Sequence, residues 1–596
     1  MKIENQKLTV KEAFKNYYYI VPPYQRDYVW QNKNVEQLLT DIHDEFQKGD
    51  QSEYFIGSTV ANRVGTDTAT YEVIDGQQRL TTLFLALCAF KGFFKEQTDF
   101  SQLIQQLISS AEINEKGTIV KNPRLILQYE DSFETVQRIL DGDGTVDNSA
   151  GASSRIRNAF DIIQKYLSAN FSTDDAVKEF YGYFTNKVSF IQIETPSIND
   201  ALKIFETIND RGIGLNPMDL LKNLIFRQLP KNEFNKVNAE WKVIRDALDK
   251  NGMKPLRFLR YFLMANYAIE DPKGTETLYE DQLYPWISEN DKKCNYSTEP
   301  MRFVKTIQKN ANAYVRFSRG EDNVGKNMYL ENIRYLGGGS FSLHLIPLLA
   351  GKDLYQDLFD HLARQLEVLI FYYTVTRTST KDFESKFSKW AKRIRRTANP
   401  SYNDAKAALN EVITTDFAPE IARMQADFEV QFVNLGLRSL QSYKVKYILA
   451  KLAAYVDAER IGQKGQVSLS PYLQKKIEIE HILPQTPEDD LLKTFPDKDS
   501  YNIAKNRLGN LTLLEKPINV VAGRQFFSAK AKLYANSNFY ITRSLTAKDD
   551  VGLDTTISRV NQKLLSFTDW NAEAIDKRQH MLFNLAKEIW KIEPLP

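Results

Sequence analysis

"KKIEIEHILPQ", residues 475–485, begins as a strand and stops being one at a pair of ionisable residues. Ile477, Ile479 and Ile482 supply apolar positions, and Glu478 sits where an exposed residue belongs, the period-2 pattern of a β-strand. Glu480 and His481 then stand side by side, and Pro484 follows. The chain has five histidines in 596 residues, so one beside a carboxylate at a strand end is a candidate for chemistry. The plainer alternative is a strand-end histidine hydrogen-bonded to its surroundings.

Downstream, residues 486–507 are polar with a short helical piece at "DDLLKTF". "RLGNLTLLE" (507–515) reads as a second strand carrying Asn510, and Asn519 lies in "KPINVVAGRQFFSAKAKLY", where a helix begins. A hairpin followed by a helix can bring Glu480, His481, Asn510 and Asn519 to one point. Phosphodiester hydrolysis needs a base for water, a divalent cation for the phosphate charge, and a group that holds the base in its working tautomer. His481 suits the base, since its ordinary pKa lies near neutrality. Glu480 and Asn519 offer hard oxygens suited to Mg²⁺ or Mn²⁺. Asn510 orients the imidazole or braces the loop.

Length points to three or four domains, and a hydrophobic content of 42% with 12% aromatics excludes wholesale disorder. Two cysteines, Cys88 and Cys294, make neither a disulfide framework nor a zinc site, which fits a reducing cytosol. No apolar run is long enough to span a bilayer, and the N-terminus has no signal-peptide core, so a cytoplasmic protein without membrane contact is expected. Net charge of +2 does not advertise a nucleic-acid binder. The basic run "KFSKWAKRIRR" (386–396), with Lys389, Lys392, Arg393, Arg395 and Arg396, reads either as a solvated helix face or as a DNA-binding surface.

Strands are expected at "YFIGSTVANRV" and "TYEVID", a buried helix at "RLTTLFLALCAFKGFF", and mostly helical structure from about 155 to 450. "IVPPYQRDYVW" (20–30) places Gln25 and Arg26 after a Pro-Pro bend. "TYEVIDGQQRLTTLFLAL" (70–87) is strand, polar turn and helix, with Asp75, Gly76, Gln77, Gln78 and Arg79 at the junction. A helix N-terminus there suits an anionic phosphate. Gly76 permits close backbone approach, Arg79 can fork onto phosphate oxygens, and Asp75 can hold Mg²⁺ or a ribose hydroxyl. "FETINDRGIGLNPMDLLKN" (205–223) adds Asn209 and Arg211 before a capped helix. Each feature alone also reads as an ion pair or a turn.

Together, "IEHILPQ", "LGNLTLL", Asn519, "FSAKAKLY" and "WNAEAIDKR" resemble the HNH (ββα-metal) nucleases, specifically the GmrD-like domain of the GmrSD family of modification-dependent, type IV restriction enzymes. The three N-terminal segments resemble its GmrS-like domain. The resemblance implies an α+β, mostly helical chain. A ParB/sulfiredoxin-like nucleotide-binding domain would occupy 1–230, a helical middle 231–464 and an HNH endonuclease 465–596. It implies Glu480 and Asn519 as metal ligands, His481 as general base and Asn510 as the middle asparagine, with Asn519 replacing the namesake final histidine. It also implies that Gln25, Arg26, Asp75 to Arg79, Asn209 and Arg211 bind a nucleoside triphosphate, ATP or GTP. The expected activity is NTP-regulated, metal-dependent cleavage of modified phage DNA by a homodimer, the simplest supply of two nuclease sites. A nucleotide-switched DNA sensor without cleavage, or a nuclease for unmodified DNA or RNA, stays open.

Overall fold

The computed structural model describes residues 4–595 apart from 24, 26, 50–51, 65–68, 114, 116, 130–131, 143–150, 196–216, 227, 231–232, 271–273, 275, 339–340, 398–400, 464–466, 488, 493, 550–551 and 553–554. Arg26, Asn209 and Arg211 therefore lie outside the described residues. Helices make up most of what is described, with three small sheets between them. Among the described residues no helix is long and apolar enough to cross a membrane.

Contacts divide the chain into two compact units, Met1–Lys242 with Tyr284–Val304, and Val243–Leu283 with Lys305–Pro596. The helices of the middle stretch from 305 on and the C-terminal strands thus belong to one unit.

The first unit is built on β1 (Glu4–Thr9), β2 (Tyr18–Val21), β3 (Tyr54–Arg63), β4 (Thr70–Asp75), β7 (Leu125–Leu127) and β8 (Val188–Thr195). They form one mixed sheet in the order β1-β8-β3-β4-β2-β7. The remaining pair, β5 (Ser109–Ile113) and β6 (Ile119–Pro123), forms a separate antiparallel ribbon. β8 falls inside the stretch expected to be helical. "VSFIQIET" alternates and is rich in β-branched residues, but long helices on its N-terminal side mask that short signal. It pairs antiparallel with β1 and parallel with β3, so a strand hidden in the sequence lies inside the sheet. The helix Gln77–Phe93 follows β4 and is buried almost all round, as its unbroken apolar run requires.

In the second unit, the helix Gln356–Val375 is buried on nearly every side, and Trp590 stacks on its Phe371 at 3.7 Å. The helix Met328–Gly337 ends with Gly338 as its cap. Near the C-terminus β9 (Ile477–His481) pairs antiparallel with β10 (Leu511–Glu515). The helix Lys516–Ala522 follows directly, giving a strand, strand, helix sequence. Asn510 is not on the second strand: it closes a 3₁₀ turn, Leu508–Asn510, just before it. Ile482, Leu483, Tyr501, Leu514, Phe527, Tyr534 and Trp570 form the local core.

Candidate active site

Alternation along β9 sends Glu478 and Glu480 to one face and His481 to the other. Register puts Thr512 opposite Glu480 and Leu511 opposite His481. Glu480 is buried, and its Oε1 accepts from Lys530 Nζ at 2.7 Å and from the Tyr534 hydroxyl at 2.8 Å. Lys530 is fully buried and also donates to the His481 carbonyl at 2.7 Å. Burial raises the Glu480 carboxyl above its ordinary value although Lys530 pulls it down. Burial likewise lowers Lys530, against the pull of Glu480.

Asn519 does not meet Glu480. Its Nδ2 donates to Glu478 Oε2 at 2.8 Å, which makes Glu478 the carboxylate that the helix after β10 contacts. Glu478, Glu480 and Asn519 nevertheless all offer oxygen, the donor type that a hard divalent cation takes, and neither cysteine stands near them in the sequence. The residues fit Mg²⁺ or Mn²⁺ in kind. Among the described residues no group of three or more His, Cys, Asp or Glu side chains gathers in a ligating cluster.

His481 is 7% exposed and its ring is lowered to about 4, first by burial and then by the nearby ammonium groups of Lys530 and Lys505. It is therefore neutral at physiological pH. Its Nδ1 lies 3.2 Å from Gln485 Nε2, so as placed the amide donates and the ring proton sits on Nε2. Turning the amide over puts Oε1 on an Nδ1–H and leaves Nε2 able to accept a proton. Asn510 makes no bond to the imidazole. Its Oδ1 accepts from the Leu483 N–H (2.7 Å) and Trp570 Nε1 (2.9 Å), and its Nδ2 donates to the Leu483 and Lys505 carbonyls. Of the two roles expected for Asn510, the structure shows the brace: it fixes the loop leaving β9. Tyr501 on the Pro484 carbonyl and Lys505 on the Gln485 carbonyl fix the same loop.

In the first unit the described parts of the 20–30 and 70–87 segments meet, and Lys222, from the described end of the third segment, reaches the first. Gln78 is buried; its Oε1 accepts from the Val29 and Trp30 N–H groups and its Nε2 donates to the Asp27 carbonyl. Lys222, buried on the helix Pro217–Phe226, donates to the Pro23 carbonyl at 3.1 Å and the Gln25 carbonyl at 3.5 Å. Tyr28 is buried core with its hydroxyl on Thr82. Arg79 does not present its fork to an open site. Its Nη1 and Nη2 donate to the Ile56 (2.6 Å) and Ser58 (2.9 Å) carbonyls of β3, tying the helix to the sheet. Gly57 makes that possible, since a Cβ there would stand 2.2 Å from Arg79 Nη1. Gly76 caps the helix with φ of 86°. Gln25 is 6% exposed, and its buried Nε2 has no hydrogen-bond partner among the described residues. Asp75 ends β4, and Gln77 opens the helix, buried.

Residues 10–226 match the family model of the GmrSD restriction endonuclease N-terminal domain, and residues 423–585 match that of the GmrSD restriction endonucleases' C-terminal domain. The chain belongs to the GmrSD restriction endonuclease family. No curated protein matches it. As a GmrSD restriction endonuclease it is a nuclease whose substrate is DNA.

Part of the basic run of this GmrSD chain is turned onto the protein's own groups. Arg393 pairs with Glu411 (2.9 Å) and Asp416 (2.5 Å), Lys392 lies 3.6 Å from Glu276, and Arg395 donates to the Ala265 carbonyl. Lys389 and Arg396 alone of the five are exposed. Sequence reasoning gave no role to Lys530, Tyr534, Gln485, Lys505 or Lys222. The signal for the first two was present: Phe527, Lys530 and Tyr534 recur at helical spacing and share a face.

Proposed function

We propose that this GmrSD endonuclease is an HNH-type, metal-dependent enzyme under nucleotide control that cuts modified foreign DNA. The carrying observation is His481, buried and held neutral at a strand end, with Glu478 and Glu480 on the other face of the same strand and Asn519 bonded to Glu478. In this reading His481 takes the proton of the attacking water at Nε2, and Gln485, with its amide turned over, holds Nδ1–H. Glu480 and Asn519, joined by Glu478, would hold Mg²⁺ or Mn²⁺, which when bound would supply positive charge to the phosphate and the leaving oxygen. Lys505, flanked by Lys498 and Arg438, forms a cationic rim near His481 suited to the DNA backbone.

In the first unit, the Gln25 amide, without a partner among the described residues, and the N–H groups opening the helix Gln77–Phe93 would meet the phosphates of ATP or GTP. Gln78, Arg79 and Lys222 would act on that nucleotide by shaping the loop rather than by touching it. Two nuclease sites for a double-strand break call for a homodimer. The test is cleavage of matched unmodified and glucosylated-hydroxymethylcytosine DNA, with and without Mg²⁺ and nucleotide. Cutting of modified DNA alone, abolished by chelation and altered by nucleotide, is expected. Equal cutting of both DNAs, or cutting in excess chelator, would sink the corresponding part.

A further inference from the structure

Inside the second unit a cavity of about 410 Å³ opens between the C-terminal end of the helix Gln356–Val375 and the start of the helix Ser442–Arg460. Its size is in the range of small-ligand sites. Three aromatic rings line it: Tyr373 stacks on Phe383 at 4.9 Å and 16°, and Phe341 stands 5.6 Å from Phe383. Arg377 and Lys444 line it too, with Gln441, and among the described lining residues there is no carboxylate. The Tyr373 hydroxyl is donated to Glu420, and that acid is already paired with Arg423 at 2.8 Å and with Lys386. Two cations thus face a space that holds no counter-charge of its own.

Arg377 carries a second message. Its φ is 53°, the left-handed region, and Thr378 N–H returns to the Tyr373 carbonyl at 3.0 Å. This is the helix-ending turn in which glycine is the ordinary residue, because a Cβ there is strained. An arginine at such a strained position is a candidate for a role of its side chain, whose Nη2 is held at the rim by the Ser439 carbonyl at 3.0 Å. Lys444 is half-buried, with no carboxylate within ion-pair distance among the described residues, and burial lowers its pKa.

We infer that this cavity binds one nucleoside monophosphate unit, its base against Phe341, Tyr373 and Phe383 and its phosphate between Arg377 and Lys444. The unit comes either from a free nucleotide or from a nucleotide extruded from DNA, and both present the same chemistry. The inference stands on the cavity's residues and not on the HNH reading.

The test uses the full chain with two variants. Lys444→Gln removes one cation, and Arg377→Gly removes the other while relieving the backbone. Titration calorimetry with dCMP and dAMP reads the free-nucleotide source. A duplex carrying 2-aminopurine, whose fluorescence rises on unstacking, reads the extruded source. At least one probe should bind, about tenfold more weakly to each variant, as expected for loss of one charge-assisted phosphate contact. Arg377→Gly should melt no lower than the parent chain, so its binding loss would not be a folding loss. Equal binding of both probes by parent and variants, or binding of neither probe by the parent, would overturn the inference.

Discussion

At the end of β4 the side chains of Gln78 and Arg79 turn onto backbone groups of residues 27–30 and of β3, whereas at the end of β9 the His481 ring meets one side-chain amide. Both places looked alike in sequence: a strand, a cluster of polar residues, then a helix within reach. The difference is what surrounds each cluster. Residues 27–30 and the bulged strand β3 offer backbone groups outside the sheet ladder, and the polar side chains of Gln78 and Arg79 are drawn onto them. Around His481 the loop backbone is already satisfied by Asn510, Tyr501 and Lys505, which leaves the imidazole for other work. A motif residue is available for chemistry only where other residues have met the backbone's needs.

The largest effect that can break this comparison lies under β9. Lys530→Met strands the buried Glu480 charge and should cost about 3–5 kcal/mol, read as a drop in the denaturation midpoint. The Glu480→Gln/Lys530→Met double variant should recover much of it. A small loss in the single variant would mean that Glu480 is not held as described.

Next comes acid sensitivity. An unfolded histidine titrates near 6.5 and folded His481 at about 4, so between these values only the unfolded chain takes up the proton. Stability is therefore full above about 6.5 and falls as pH drops towards 4, by about 3 kcal/mol from this residue. His344, buried and lowered to about 3, adds in the same direction. His481→Gln should flatten the unfolding free energy between pH 6.5 and 4, and an unchanged slope would contradict the burial of the ring.

The strut at β3 should matter less. Arg79→Met leaves two carbonyls of β3 without their donors, a loss of about 1–3 kcal/mol. Nucleotide affinity should then fall only in step with unfolding; a much larger affinity loss in a stable variant would return Arg79 to the phosphates. Smallest of all, Lys505→Gln should weaken DNA binding and lower the salt dependence by about one phosphate contact, while Arg393→Gln should leave the slope unchanged. The reverse ranking in a salt titration would restore the 386–396 run as the DNA face.

Much of the fold was legible where one period ran long enough to read. The helix after β4, the strand before it and the pair β9–β10 all announce themselves by pattern. β8 does not, because eight alternating residues sit next to long amphipathic helices. The site was legible in residue type but not in partnership. Glu480 and His481 are neighbours in sequence and so belong to opposite faces of a strand, and sequence distance gave no hint that Lys530 lies 2.7 Å from Glu480. Likewise nothing in "NPMDLLKN" says that Lys222 reaches back to Pro23.

The central claim is that His481 is the base of a DNA-cleaving site. Single-turnover cleavage of glucosylated-hydroxymethylcytosine DNA by the parent chain and His481→Asn, with Mg²⁺ at pH 7.5 and melting midpoints measured alongside, tests it most directly. The account predicts a rate lower by about 10²–10⁴-fold in a variant that still folds and binds DNA. Cleavage by the folded variant within a few-fold of the parent would contradict it.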